Sequence, residues 1–194
     1  MKYKTIVIDP PTHYNQWGKP PLGHRPNSHK VYPMPYKTMS VEEIKSLPII
    51  EYADENCELY LWTTQKYLPY SFDFLKVWGF KYCQTITWCK KPRGLGQGGI
   101  FCPTTEFLIL GRKGKMPKVR RLDSTWYLVK RPHNSHSTKP EFFQDMIEKV
   151  TNEPRLEIFA RRERKGWDAI GDELKNPITL QPIIITEQSR SNQE

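Results

Sequence analysis

An acidic residue followed by two prolines stands directly after the first apolar stretch of the chain. Residues 3–8 have the pattern of a buried β-strand, which Asp9-Pro10-Pro11 ends abruptly. Proline fixes φ and lacks an N–H, so we expect a stiff turn whose carbonyls are not bonded by neighbouring N–H groups. A carboxylate and a proline carbonyl held side by side can accept both hydrogens of an exocyclic amino group. The tripeptide alone fits a rigid turn that merely closes a strand equally well.

The elements around this turn alternate between strands and helices, which is typical of an α/β sheet with helices packed on it. The sequence predicts strands at 3–8, 57–63, 81–89, 106–110 and 155–160. Ligands of open α/β sheets bind beyond the carboxyl ends of the strands. The residues that follow these strands are therefore the first candidates for a functional site.

Three helices are predicted between the strands. The first follows the capping box Ser40-Val41-Glu42-Glu43 and ends before Pro48. The second presents one apolar face, made of Leu68, Phe72, Leu75 and Trp78. A second capping box, Thr138-Lys139-Pro140-Glu141, places Lys139 in the first turn of the third helix. The buried face of that helix is predicted to be Phe143, Met146, Ile147 and Val150.

The charge of the chain favours a polyanionic partner. Lysine and arginine number 30 against 21 acidic residues, which gives a net charge of +9. Basic residues cluster in predicted loops at 90–93, 112–121, 130–131 and 161–165, with Trp126 and Tyr127 among them. Basic loops with aromatic side chains suit phosphate contact and stacking on an unpaired base. Any one of these runs is explained equally well as a solvated face.

Several classes of protein are excluded by composition and spacing. Hydrophobic residues make up 37% of the chain and no apolar run approaches a membrane span, so we expect no membrane association. The four cysteines form no CxxC pair, which predicts reduced thiols in a cytoplasmic protein. Gly94-Leu95-Gly96-Gln97-Gly98-Gly99 formally matches a dinucleotide fingerprint, but no helix pattern follows it. The five histidines show no metal-binding spacing, and no metal is predicted.

Six motifs, in order, resemble the MT-A70 family of adenine-N6 methyltransferases, and they span residues 3 to about 174. They are Asp9-Pro10-Pro11, the segments 35–40, 59–64, 138–141 and 156–162, and Gly166-Trp167-Asp168 with Gly171-Asp172-Glu173. The resemblance implies a Rossmann-like sheet dependent on S-adenosylmethionine (SAM), with helices on both faces. Its motif order is permuted, as in class beta enzymes, because the catalytic strand precedes the SAM strand. We expect one methyltransferase domain at 1–175 and a tail at 176–194, with a further edge strand and then a disordered end.

The resemblance also assigns roles to individual residues. The catalytic set is Asp9, Pro10, Pro11 and Tyr36, which orient the target amino group for in-line attack on the SAM methyl. The cofactor set is Ile8, Asp9, Lys139, Glu157, Phe159, Arg161, Asp172 and Glu173, in which Lys139 pairs with the SAM carboxylate. Nucleic-acid contacts are predicted at Tyr14, Trp17, Lys90, Lys91, Arg93, Arg120 and Arg121. Positioning and a polar, preorganised site suffice for such a transfer without a strong base.

Thr12 is the clearest departure from the family pattern, which usually has an aromatic residue after Asp-Pro-Pro. An aromatic there stacks on the extruded base, and such stacking contributes ~1–3 kcal/mol. Tyr14 or Trp17 offers a substitute face. The resemblance favours DNA as substrate and leaves RNA as the first alternative. The second alternative is a catalytically silent protein that binds nucleic acid or a partner subunit, and a homodimer also remains open.

Overall fold

The computed structural model describes residues 1–13, 37–91, 101–115, 121–132, 138–172 and 174. Its strands are β1 (Tyr3–Ile8), β2 (Ala53–Thr63), β3 (Lys81–Lys91), β4 (Thr105–Lys113), β5 (Trp126–Lys130), β6 (Arg155–Ile158) and β7 (Asp168–Ile170). Its helices are α1 (Val41–Lys45), α2 (Ile49–Tyr52), α3 (Leu68–Val77) and α4 (Glu141–Val150). The seven strands form one sheet in the order β5-β3-β4-β2-β1-β6-β7. The predicted α/β architecture is therefore confirmed.

Strand direction brings several chain segments to one edge of this sheet. β1 pairs in parallel with β2 and β6, β6 with β7, and β3 with β5. Only β4 among these strands runs the other way, antiparallel to β2 and β3. The start of β4 consequently lies at the same edge as the carboxyl ends of the others. From β1 the chain moves to β2 on one side, and from β6 to β7 on the other, so the crevice beyond β1 and β6 is a topological switch point.

Helices cover both faces of the sheet, as predicted. Along β1, Ile6 and Ile8 pack in the cluster on the α1–α3 side, whereas Val7 packs in the cluster on the α4 side. The four residues predicted for the buried face of α4 are buried. The predicted face of α3 is partly wrong, because Phe72 is 42% exposed and Ser71 is buried. The Ser71 hydroxyl forms hydrogen bonds with Thr63 Oγ1 and Tyr67 O at 2.8 and 3.0 Å, which makes burial of this polar side chain tolerable.

One of the two predicted capping boxes is present. At α1 the Glu43 N–H donates to Ser40 Oγ at 3.1 Å, and the Ser40 N–H donates to Glu43 Oε2 at 2.6 Å. The capping box predicted at the third helix is wrong, since α4 has Pro140 as its N-cap and no side-chain cap. A residue before proline is disfavoured in the helical region, so Lys139 remains outside the helix. Lys139 thus precedes α4 instead of lying in its first turn.

Several residues expected in loops lie in strands. Lys90 and Lys91 extend β3, and Trp126 and Tyr127 begin β5, which was not predicted. The predicted basic loop at 112–121 is wrong at its start, because β4 runs to Lys113. β7 and α2 were also not predicted. No helix of the described residues has the length and apolarity needed to cross a membrane. The glycine-rich segment 94–99 and the tail predicted at 176–194 lie outside the described residues, so the domain boundary stays a prediction.

The junction after β7 depends on a glycine that contacts the backbone of the neighbouring segment. A Cβ at Gly171 would lie 2.0 Å from the Ala160 carbonyl oxygen, beside the hydrogen bond from Ala160 N to Ile170 O (2.9 Å). We expect Gly171→Ala to lower the free energy of unfolding by about 3 kcal/mol, because rigid backbone would have to shift. Gly79→Ala is the comparison variant, since its positive φ of 79° costs about 1–2 kcal/mol. Urea unfolding of both variants checks this, and equal losses would contradict it.

Candidate active site

The Asp9-Pro10-Pro11 turn is fixed by its own backbone hydrogen bonds. Asp9 N donates to Ile158 O of β6 at 3.4 Å, which holds the turn against the switch point. Thr12 N donates to Pro10 O and Met39 N donates to Pro11 O, each at 2.8 Å. The expectation that these carbonyls are unbonded is therefore wrong. Proline has no N–H to donate, but the N–H groups of Thr12 and Met39 bind both proline carbonyls. A carbonyl has two lone pairs, so one such bond leaves Pro10 O with further acceptor capacity.

Four charged side chains form a connected network at this edge of the sheet. Lys139 Nζ lies 2.7 Å from Asp9 Oδ2 and 3.4 Å from Glu106 Oε2. On the other side of Glu106, Lys90 Nζ lies 2.6 Å from Oε1. The side chains of Glu106 and of both lysines are only 13–15% exposed. Two carboxylates and two ammonium groups thus alternate from the end of β1 to the end of β3.

Burial and charge act in opposite directions on the carboxylates of this network. Burial raises the pKa of Asp9 above its ordinary value, and the Lys139 ammonium offsets this only in part. Burial also acts to raise the pKa of Glu106, but the ammonium groups of Lys139 and Lys90 outweigh it and hold that pKa low. The pKa of Lys139 is raised despite burial, because Asp9 and Glu106 favour its charged form. Lys139 is accordingly a permanent cation beside the Asp9 carboxyl.

Aromatic rings form one wall of the network. Lys139 Nζ lies 5.4 Å from the centroid of Trp62, and Lys90 Nζ lies 5.3 Å from that of Trp88. The two indole rings contact each other edge to face, and Trp62 also packs against Phe143 of α4. Such a wall excludes water from one side of the charges, so electrostatic interactions here are stronger than at an open surface.

Glu157 of β6 occupies a second polar position near Asp9. Gln144 Nε2 of α4 donates to Glu157 Oε2 at 2.5 Å, and Arg162 NH2 donates to Gln144 Oε1 at 3.2 Å. Burial, with the negative charge of Asp9 added to it, raises the pKa of Glu157 to about 7. Glu157 therefore changes its charge near neutral pH, which an exposed glutamate does not do.

This raised pKa predicts a pH-dependent stability. Between about 4.5 and about 7 the folded protein keeps the Glu157 proton that the unfolded chain has lost, so stability falls as pH rises through this window. We expect Glu157→Gln to match the wild type near pH 5 and to be more stable than it near pH 8, where the wild type buries an ionised carboxylate. Urea unfolding at both pH values measures this. The exposed Glu163 serves for the matched Glu163→Gln control, and an equal gain in that variant would contradict the prediction.

The structure brings only part of the predicted site residues together. Asp9 contacts Lys139 directly, and the positive charge of Arg161 acts on the Asp9 carboxyl. The Ile8 side chain is fully buried in the core, and Asp172 is exposed. Phe159 packs partly on the core with a φ of 63°, an uncommon conformation for an aromatic residue that turns the chain beyond β6. Arg121 is exposed.

The structure does not describe every predicted site residue. Tyr14, Trp17, Tyr36, Arg93, Arg120 and Glu173 lie outside the described residues, as does the side chain of Lys91. Their assigned roles stay predictions. Lys90 is described, and it differs from the expected loop residue because it lies in a strand and its ammonium group is paired with Glu106.

Sequence reasoning missed Glu106 and Gln144. Glu106 is a polar residue at the start of an apolar strand, which is a common pattern at strand ends. Its position at the site follows from the antiparallel direction of β4, and the strand's own sequence does not encode that direction. Gln144 follows the buried Phe143 on α4, and only the packing of α4 beside β6 brings it to Glu157.

Comparison with known proteins agrees with this geometry. The MT-A70 family model matches residues 3–173, which is most of the chain. The chain belongs to the MT-A70 family. Its fold is accordingly the Rossmann-like methyltransferase fold, in which β1 precedes the strand β6 beside it.

Individual relatives of this MT-A70 protein differ in length and in named activity. The type II methyltransferase M.MunI of a Mycoplasma species is 28% identical over 89% of this chain and 78% of its own length. An N(6)-adenosine-methyltransferase MT-A70-like protein of Drosophila melanogaster is 26% identical over 79% of this chain, which spans only 26% of that protein. The non-catalytic subunit METTL14 of the same organism is 24% identical over 90% of this chain and 47% of its own length. The first two names denote methyltransferases, and the third denotes a non-catalytic subunit.

Proposed function

We propose that this protein transfers a methyl group from SAM to the N6 amino group of adenine in DNA. One observation carries the proposal: Asp9 and Lys139 are in contact at the switch point of the sheet. An acceptor for an amino group and a cation for a carboxylate thus stand side by side. They are the two recognition elements that a transfer from SAM to an adenine amino group needs.

The residues present fit the cofactor. The Lys139 ammonium can pair with the carboxylate of the methionine moiety. The Glu157 carboxyl, at the same crevice, can accept hydrogen bonds that the ribose hydroxyls donate. Partly buried carboxyl groups with raised pKa values, such as those of Asp9 and Glu157, are typical of functional sites. When bound, SAM supplies an electrophilic methyl group on a sulfonium.

The residues of this chain then orient the acceptor amino group. The Asp9 carboxylate and the Pro10 carbonyl accept the two N6 hydrogens, which directs the nitrogen lone pair towards the methyl group. The rigid turn fixes both acceptors before the base arrives, so little reorganisation remains for the reaction. Once methylated, N6 is positively charged and loses its proton readily, so no strong base is required.

The choice of DNA rests on the similarity to M.MunI, of which the match covers 78%, against 26% of the Drosophila melanogaster N(6)-adenosine-methyltransferase MT-A70-like protein. The net charge of +9 suits either polymer. RNA is therefore the first alternative outcome. A silent protein that acts with a partner subunit is the second, and two observations favour it: Thr12 in place of the usual aromatic, and the similarity to a non-catalytic subunit.

The test is methyl transfer from isotopically labelled SAM to duplex DNA, single-stranded DNA and RNA of matched sequence. Nucleoside mass spectrometry then identifies the product. We expect N6-methyldeoxyadenosine, with the greatest yield on a DNA substrate. If N6-methyladenosine formed only in RNA, the substrate would be RNA instead of DNA. No product on any polymer, together with no SAM binding by calorimetry, would overturn the enzymatic proposal.

A further inference from the structure

We propose that Glu106 is a positioning residue that holds Lys139 between the Asp9 carboxylate and the bound cofactor. For its rate measurements the inference rests on the function proposed above. Glu106 belongs to none of the six motifs, and it is the one carboxylate in the described residues that contacts both site lysines.

The position of Glu106 follows from the sheet. It is the second residue of β4 and pairs with Trp88 of β3, so Lys90, two residues further along β3, lies on the same face. Lys139 reaches the same carboxylate from the segment before α4, and Pro140 restricts its backbone. Glu106 therefore connects side chains from two separate segments at the mouth of the crevice.

A lysine side chain needs such an anchor to occupy one place. Its four-carbon stem is flexible, and a single ion pair leaves the ammonium free to pivot. Contacts to Asp9 at 2.7 Å and to Glu106 at 3.4 Å, with Trp62 beneath, define its position from three directions. Lys139 Nζ already lies nearer to Asp9 than to Glu106, and the Glu106 charge attracts it in the other direction. Without Glu106 that opposing attraction is lost, and Lys139 binds more tightly to the Asp9 oxygen that must accept the adenine amino hydrogen.

A simpler role for Glu106 is to neutralise Lys90, whose ammonium lies closer, at 2.6 Å. The two roles differ when Lys90 is also removed. If Glu106 only neutralises Lys90, the loss of both charges restores the balance of the site. If Glu106 positions Lys139, the double variant still lacks the anchor and stays impaired.

The experiment is a double-mutant cycle of Glu106→Gln, Lys90→Gln and the combined variant, with Glu163→Gln as an exposed control. We expect Glu106→Gln to lower kcat about 10- to 100-fold and to raise the Kd for SAM about 5-fold. The combined variant, compared with Lys90→Gln alone, should show the same fall in kcat and the same rise in the Kd for SAM. Circular dichroism and thermal unfolding verify folding, and Glu106→Asp, which keeps the charge, should recover part of the rate.

The pH profile supplies a readout that a purely structural role would not move. The charged groups facing Asp9 are Lys139, Arg161, Glu106 and Glu157. Removing the Glu106 charge lowers the pKa of Asp9, so the acid limb of kcat should move to lower pH in Glu106→Gln.

Two results would overturn the inference: full recovery of kcat in the combined variant, or unchanged kcat and SAM affinity in Glu106→Gln. The function proposed above fails separately, if the wild type itself makes no methylated adenine. In that case calorimetry with SAM alone still tests the anchor, because weaker binding to Glu106→Gln than to Glu163→Gln supports it and equal binding rejects it.

Discussion

Asp9→Ala is expected to abolish methyl transfer to adenine while leaving the protein folded. The Asp9 carboxylate is the side-chain acceptor within the Asp9-Pro10-Pro11 turn at the switch point. Loss of one preorganised hydrogen-bonding group at a reacting centre costs about 100- to 1,000-fold in rate. Loss of the oxygen that orients the attacking nitrogen should reach the upper end of that range. SAM affinity should change far less than kcat, because Lys139 remains.

The stability of the same variant follows from the charge network. Burial raises the pKa of Asp9, so ionisation of this carboxyl is already unfavourable in the folded protein. Lys139 keeps Glu106 as a partner when Asp9 is removed. We expect the free energy of unfolding to change by no more than about 2 kcal/mol, below the cost of breaking an isolated buried pair.

The control for this prediction is Asp73→Ala on α3, whose side chain is 63% exposed and whose contact with Lys45 is long, at 4.0 Å. It should leave both rate and stability near wild type. Single-turnover methylation of an adenine-containing duplex and urea unfolding measure the two quantities. Near-native turnover by Asp9→Ala would contradict the assigned role, and an unfolded Asp9→Ala would contradict the stability argument.

Sequence patterns predicted the elements that local rules specify. The strand at 3–8 and the Ser40 capping box are confirmed, because an apolar run before prolines and a Ser-x-x-Glu spacing act within a few residues. The face of α4 is confirmed since Phe143, Met146, Ile147 and Val150 repeat at helical spacing. Asp9 and Lys139 were predicted from the family motifs, and the structure brings them into contact.

The features that were missed depend on long-range pairing. β5 is a short strand with alternating exposed and half-buried residues, so its apolar signal is weak. Glu106 reaches the site only because β4 runs antiparallel to its neighbours, which no local pattern records. The predicted capping box at 138–141 failed because Pro140 shifts the start of the helix, a steric effect stronger than the Thr-x-x-Glu signal.

Lys139→Met is expected to lower mainly the affinity for SAM, whereas Asp9→Ala is expected to lower mainly kcat. The charge-assisted hydrogen bond from the Lys139 ammonium to a carboxylate contributes about 1.5–3 kcal/mol, which corresponds to a loss of about 10- to 100-fold in SAM affinity. Methionine keeps the contact with Trp62 and the volume of the stem, so the change removes charge and little else.

The loss of this cation also has an electrostatic consequence for Asp9. The Lys139 charge is what offsets burial at Asp9, so its removal raises the pKa of Asp9 further and moves the acid limb of the rate to higher pH. This shift is opposite in direction to the one expected for Glu106→Gln. Calorimetry with SAM and a pH series of kcat measure the two effects. Lys149→Met, at the exposed end of α4, removes the same charge away from the network and should change neither. Unchanged SAM affinity in Lys139→Met would show that the cofactor carboxylate is bound elsewhere.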